Sequence, residues 1–152
     1  MPETAIQPIP PVHPQPLNRI LYVEDEPDIQ TVVRIPLQIA GYEMEVCGSG
    51  EEALKKAPAF EPDLILLDVM MPGMDGPTTL LELRKIPKFE KVPVVFITAK
   101  TQKQEIEQFK RLGALDVITK PFNPMSLAET VKSIWEENLK IPAPIAVGTS
   151  GL

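Results

Sequence analysis

Leu64-Ile65-Leu66-Leu67-Asp68-Val69-Met70-Met71-Pro72-Gly73-Met74-Asp75-Gly76 joins a continuous apolar run to one carboxylate and then to a turn. Four apolar residues bounded by turn signals read as a buried strand of a parallel sheet. In open α/β sheets, ligands bind just outside the carboxyl ends of such strands. Asp68 stands at that end. A charge there is costly unless it is paired, hydrogen-bonded or metal-bound. Asp68 is therefore read as a reactive group whose partners lie elsewhere in the chain.

Downstream, Pro77 opens a third helix with Leu80, Leu81 and Leu83 on its apolar side, and Pro87 ends it. Pro93 to Ile97 is a fourth strand, followed by Thr98-Ala99-Lys100. A polar fourth helix points Ile106, Phe109 and Leu112 inward and stops at Gly113. Leu115 to Ile118 is a fifth strand, followed by Thr119-Lys120-Pro121-Phe122. Asn123 caps and Pro124 starts the last helix, whose buried stripe is Leu127, Val131, Ile134 and Trp135.

Upstream, Arg19 to Val23 is the first strand and runs into Glu24-Asp25-Glu26. Pro27 opens the first helix, with Ile29, Val32, Val33, Leu37 and Ala40 on one face. Pro36 interrupts that face. An interior proline removes a backbone hydrogen bond and costs ~3 kcal/mol, so a kink or early break is expected near Val32 to Pro36. Glu43 to Cys47 is the second strand. Ser49 and Glu52 fit a capping box for the second helix, with Ala53, Leu54 and Ala57 apolar. Strand and helix alternate five times. That pattern demands a parallel sheet with right-handed crossovers and helices on both faces.

The ends read differently. Residues 1–17 are rich in proline and show no apolar periodicity, so they are expected to form an exposed leader, extended or disordered. His13, the only histidine, lies there, and a lone histidine in such a segment is not expected to be a catalyst or metal site without partners. The folded domain is placed at 18–140. A loose tail is expected over 141–152.

Bulk composition sets limits. The chain has 152 residues, enough for one domain with a real core. A net charge of −6 argues against a nucleic-acid surface, which needs clustered Lys and Arg. The lone Cys47 excludes a disulfide framework or zinc cluster and reads as a small buried hydrophobe. No signal peptide and no membrane-length apolar run are visible, so a soluble cytoplasmic protein is expected.

Every strand but the second ends in a polar residue with chemical capacity. A parallel sheet gathers these ends on one edge, so Glu24, Asp25, Asp68, Thr98 and Lys120 converge there. Three clustered carboxylates repel unless one is protonated or a cation sits among them. Hard oxygen ligands with room for water and phosphate suit Mg²⁺. Lys120 and Thr98 then fit as partners of an anion. The site is read as one that holds a phosphoryl group between Mg²⁺ and Lys120, with Asp68 as nucleophile.

Four separated motifs now carry a resemblance: Val23-Glu24-Asp25-Glu26-Pro27, Leu66 to Gly76, Ile97-Thr98-Ala99 and Lys120-Pro121-Phe122. In this order, each at a strand end, they resemble the CheY-like receiver domain of two-component response regulators, over residues 19 to about 140. The resemblance implies a flavodoxin-like (βα)5 doubly wound sheet of order 2-1-3-4-5. It implies that Asp68 accepts a phosphoryl group from a histidine kinase's phosphohistidine. Glu24, Asp25, Asp68 and the backbone carbonyl of Met70 would hold Mg²⁺. Lys120 would pair with the phosphate, and Thr98 would bond a phosphoryl oxygen and shift on activation. The domain would catalyse its own phosphorylation and dephosphorylation, as a switch and not a turnover enzyme.

The resemblance also implies partners: a sensor histidine kinase or histidine phosphotransfer protein, and a downstream target on the face of the fourth helix, fifth strand and fifth helix. No nucleic-acid or membrane partner is expected, and the chain would be a monomer or a phosphorylation-dependent dimer. The alternatives are a phosphorelay intermediate and a receiver fragment of a longer regulator. Where many family members carry an aromatic three residues before the lysine, this chain has Val117. Two other classes fail on residues. A flavin module needs a phosphate loop that Glu24-Asp25-Glu26 would repel. An aspartyl-phosphate phosphohydrolase wants an acid where Met70 stands.

Overall fold

Five short strands carry the apolar runs: β1 (Arg19–Val23), β2 (Glu43–Cys47), β3 (Leu64–Asp68), β4 (Val94–Thr98) and β5 (Asp116–Thr119). In the computed structural model, which describes residues 16–100 and 102–139, they form one parallel sheet of order β2-β1-β3-β4-β5. β3 and β4 are buried along their whole length, as central strands covered on both faces must be. The expected tail, His13 and all of the leader except Pro16 and Leu17 lie outside the described residues.

The helices are α1 (Pro27–Ile39), α2 (Gly50–Phe60), α3 (Gly76–Arg84), α4 (Lys103–Arg111) and α5 (Leu127–Leu139). α1 and α5 cover one face, where Val33, Leu37, Val131 and Trp135 meet Ile20, Tyr22 and Leu66. α2, α3 and α4 cover the other, where Ala53, Ala57, Leu80, Leu83 and Phe109 meet Leu21, Leu67 and Phe96. Phe109 and Phe96 pack edge to face at 5.1 Å between ring centres and fasten α4 to β4.

Two of the helices, α2 and α3, start on side-chain caps. The Ser49 hydroxyl accepts from Glu52 N–H at 3.0 Å. The Glu52 carboxylate closes the box on Gly48 N–H at 2.6 Å, one residue earlier than the usual partner. Asp75 caps α3 through Thr78 N–H at 2.9 Å.

Four local expectations are corrected. α1 does not break near Pro36 but runs to Ile39. Pro36 sits in its last turn, so few bonds depend on it. Ala40 N–H still reaches the Pro36 carbonyl and Tyr42 N–H the Leu37 carbonyl, both at 3.1 Å. Val32 and Leu81 do not face the core; they are 40% and 50% exposed. Each neighbours a core residue (Val33, Leu80) and is turned ~100° from it around the helix. Ala40 is likewise exposed, outside the helix proper. Finally, Asn123 and Pro124 start a 3-10 turn, Pro124–Ser126, and α5 begins only at Leu127.

Candidate functional site

Each polar strand end lies at the same edge because all strands run parallel. Asp68 closes β3 and is almost wholly buried. Behind it, Val69 N–H bonds the Ile97 carbonyl at 3.1 Å, and Gly76 N–H bonds the Val69 carbonyl at 2.9 Å. These bonds fold the following loop back against β3. Gly76 is required there: a Cβ at this position would lie 2.5 Å from the Asp68 carbonyl oxygen and 2.8 Å from Val69 Cα. Gly73 supplies the left-handed turn residue, with φ of 75°.

Glu24, Asp25 and Asp68 each offer a carboxylate oxygen, all within 4.8 Å of one another. Lys120 Nζ lies 3.0 Å from Asp68 Oδ1 and 3.5 Å from Glu24 Oε1. Its backbone N–H bonds the Thr98 carbonyl at 2.8 Å, which ties the two strand ends together. The Lys120–Pro121 peptide is cis. Thr98 is buried, and its Oγ1 accepts from Lys100 N–H at 3.0 Å. Met70 follows in the loop with its side chain 66% exposed.

Burial pushes the Asp68 carboxyl above its usual range, against the opposing pull of Lys120. Glu24 is raised by burial and then by the Asp68 charge. Burial works against the Lys120 ammonium, but Asp68 and Glu24 outweigh it and hold its pKa above the ordinary lysine value. Two acids that resist ionising beside a third leave an unmet demand for positive charge. An oxygen-only donor set of this kind fits a hard divalent cation.

Three contributors escaped the sequence reading. The Tyr22 hydroxyl donates to Glu24 Oε1 at 3.2 Å, inside the protein. Burial, and then Glu24, raise the Tyr22 pKa, so it stays a donor. Gln30 Nε2 donates to the Glu24 carbonyl at 2.6 Å. Gly76 is the third. The usable signal was the two-residue spacing of Tyr22 and Glu24, which puts both side chains on one side of the strand line.

A doubly wound α/β domain with a buried aspartate, an acidic cluster and a lysine at its strand ends defines a small class of proteins. Residues 20–132 match the response regulator receiver domain family, and the chain belongs to that family. It is 40% identical over 127 residues to the alkaline phosphatase synthesis transcriptional regulatory protein PhoP of Bacillus subtilis, covering 84% of this chain and 52% of that protein. It is 36% identical over 126 residues to the DNA-binding dual master transcriptional regulator RpaA of Synechocystis, covering 83% and 52%. The chain thus spans about half the length of these relatives. Among solved structures, the chemotaxis protein CheY4 of Vibrio cholerae superposes with a TM-score of 0.73 at 34% identity, covering 78% of this chain and 99% of that one. RpaA is named as DNA-binding, so the relatives do not bear out the expectation of no nucleic-acid partner. No helix among the described residues is long and apolar enough to cross a membrane.

Proposed function

We propose that this domain is a phosphorylation switch of a two-component pathway, with Asp68 as the acceptor. The observation that carries the reading is the Lys120 ammonium 3.0 Å from Asp68 beside two further carboxylates. A sensor histidine kinase, or a histidine phosphotransfer protein, supplies the phosphoryl group. An Asp68 carboxylate oxygen attacks phosphorus. The O–P bond forms as the N–P bond of phosphohistidine breaks, and the imidazole keeps the electron pair and takes up a proton. Hydrolysis reverses the state: water attacks phosphorus, the O–P bond breaks, and carboxylate and inorganic phosphate remain. These are self-directed steps of a switch and not the turnover of an enzyme.

Each side chain has a task. Glu24, Asp25 and Asp68, with the Met70 carbonyl, would hold Mg²⁺. Bound there, Mg²⁺ neutralises charge on the phosphoryl oxygens. Lys120 shifts from Asp68 to a phosphoryl oxygen as a point charge. Thr98 turns its hydroxyl proton to another oxygen while still accepting from Lys100 N–H, as one hydroxyl can do both. Tyr22 and Gln30 hold Glu24 in place. The altered β4 and β5 ends would signal through the face of α4, β5 and α5 to a downstream protein in the cytoplasm. Val117 fills the strand position where many family members swing an aromatic, so that signal rests on Thr98 and Lys120.

The test is incubation with Mg²⁺ and acetyl phosphate, read by intact mass. A gain of one phosphate that needs Mg²⁺ and is lost in Asp68→Asn is expected. A gain retained in Asp68→Asn, or none in the wild type, sinks the assignment.

A further inference from the structure

α4 is held unequally at its two ends. At the C-terminal end Gly113, with φ of 115°, turns the chain in a left-handed cap. Its N–H bonds the Lys110 carbonyl at 3.0 Å, and Ala114 N–H bonds the Phe109 carbonyl at 3.1 Å. Phe109 and Ala114 are both buried, the apolar pair that accompanies such a cap. Leu115 N–H then bonds the Val94 carbonyl at 2.7 Å and leads the chain into the sheet.

Arg84, the last residue of α3, clamps this end from outside the helix. Its guanidinium donates to the Phe89 carbonyl at 2.9 Å, the Val92 carbonyl at 2.6 Å and the Gly113 carbonyl at 3.3 Å. These acceptors belong to the turn after α3, the approach to β4 and the end of α4. One planar fork thus joins three separate segments. Burial lowers the Arg84 pKa, but a guanidinium stays charged, and a charged donor makes hydrogen bonds roughly twice as strong as a neutral one.

Among the described residues, the N-terminal end of α4 has less to hold it. Gln102 caps the helix without a side-chain hydrogen bond. Glu105 and Ile106 N–H both converge on the Gln102 carbonyl, at 3.0 and 3.1 Å. Gln102, Lys103 and Gln104 are exposed. The Lys100–Glu105 ion pair, 3.8 Å apart, lies at the surface, where such pairs contribute little. This loose end is the one that adjoins Thr98, whose Oγ1 accepts from Lys100 N–H. The clamped end meets the sheet at Val94, the opposite end of β4, about 13 Å away along the strand.

We propose that Arg84 is a positioning residue, a latch that fixes the C-terminal end of α4 so that the helix opens from its Thr98 end alone. The latch belongs to the unmodified domain. Its use as a pivot, when Thr98 turns to a phosphoryl oxygen, rests on the phosphorylation reading.

Amide hydrogen exchange of the full chain tests the latch. In the wild type, Glu105 and Ile106 are expected to exchange faster than Leu112, Gly113 and Ala114. Arg84→Met keeps an apolar stem and removes the fork. It is expected to raise exchange at Leu112, Gly113 and Ala114 by roughly tenfold, the scale of one lost hydrogen bond. Glu24 and Val69, bonded within the sheet, should keep their rates. Arg84→Lys keeps the charge without the fork and should loosen the same amides, which covers a Met variant that does not fold. Equal exchange at both ends of α4 in the wild type, unchanged rates at Leu112 to Ala114 in both variants, or an equal rise at Glu24 and Val69 overturns the latch. Mg²⁺ with beryllofluoride, a phosphoryl mimic, is expected to shift the amides of 102–106 and leave those of 112–114 in place. Shifts at both ends overturn the pivot. No shift anywhere would count against the phosphorylation reading, while the exchange gradient and its loss in Arg84→Met would still uphold the latch.

Discussion

Lys120 Nζ stands 3.0 Å from Asp68 Oδ1, and this one ammonium serves two buried carboxylates, since Glu24 Oε1 is only 3.5 Å away. Removing a partner from a buried ion pair leaves uncompensated charge. Lys120→Met is therefore expected to destabilise the metal-free domain by about 3 kcal/mol, the low end for such pairs because the side chain is 28% exposed. Asp68→Asn removes one of the competing acids and is expected to leave stability equal or higher. Urea unfolding of both variants measures this; the opposite order would contradict the charge balance drawn here.

Stability should depend on pH with a definite sign. Asp68 and Glu24 have raised carboxyl pKa values, burial being the main cause. Between the ordinary carboxylate range and those raised values, the folded state holds more protons than the unfolded one. Stability contributed by these groups is thus present at low pH and lost as pH rises through the folded pKa values. Metal-free unfolding is expected to become easier across that window. Saturating Mg²⁺, if held by the ionised cluster as proposed, should restore the loss at neutral pH. An unchanged melting temperature across a Mg²⁺ titration would count against the cation site.

Gly76→Ala tests whether close backbone approach holds Asp68. The new Cβ would press on the Asp68 carbonyl oxygen and Val69 Cα, and backbone cannot yield as a flexible side chain can. A loss of roughly 1–3 kcal/mol is expected, as for overpacking. Phosphorylation by acetyl phosphate should slow more than the small loss of folded protein explains. A normal rate in the folded fraction would show that Asp68 is placed by β3 alone.

Tyr22→Phe removes only the hydroxyl that reaches Glu24. A hydrogen bond to a charged group contributes about 1.5–3 kcal/mol. The low end is expected, since Glu26 N–H still bonds Glu24 Oε2 at 3.2 Å and Lys120 remains. Weaker Mg²⁺ stabilisation should accompany it, seen as a smaller rise in Tm at a fixed concentration.

Cys47 should be chemically silent while the domain is folded. The thiol is buried, and burial pushes its pKa up to about 12. The thiolate is the reactive form. Labelling by a thiol reagent at pH 8 is expected to proceed at the rate of unfolding and to speed up with urea. Fast labelling in native buffer would place Cys47 at the surface.

The strands were legible because each is a short apolar run that stops at turn chemistry. Their order was not: nothing in periodicity distinguishes β1 as a central strand, and the order came with the family's motifs. The polar strand ends could be foreseen as a group, because parallel topology alone brings Glu24, Asp25, Asp68, Thr98 and Lys120 to one edge. What propped them up was harder to see. Tyr22 looked like one more apolar strand residue, since its hydroxyl matters only through Glu24. Pro36 looked like a break because the cost of an interior proline is written in sequence, while the burial of Val33 and Leu37 that offsets it is not. Val32 and Leu81 show the same limit, as a helix face is blurred when apolar residues sit side by side.

The strand order carries a kinetic consequence. Arg19 pairs with Glu43, Ile65 with Val94 and Val95 with Asp116, and a whole helix separates each pair. No hairpin is available as a quick local nucleus. β1 must also wait for β3, since Ile20 pairs with Leu64 across an intervening strand. Closing such loops carries an entropy cost before any contact offsets it, so folding should be slower than in helical bundles of equal size. During synthesis, β1 emerges first and stays unpaired on one side until β3 has left the ribosome. The acidic residues that follow it are the kind of flanking charge that disfavours aggregation of an exposed apolar strand.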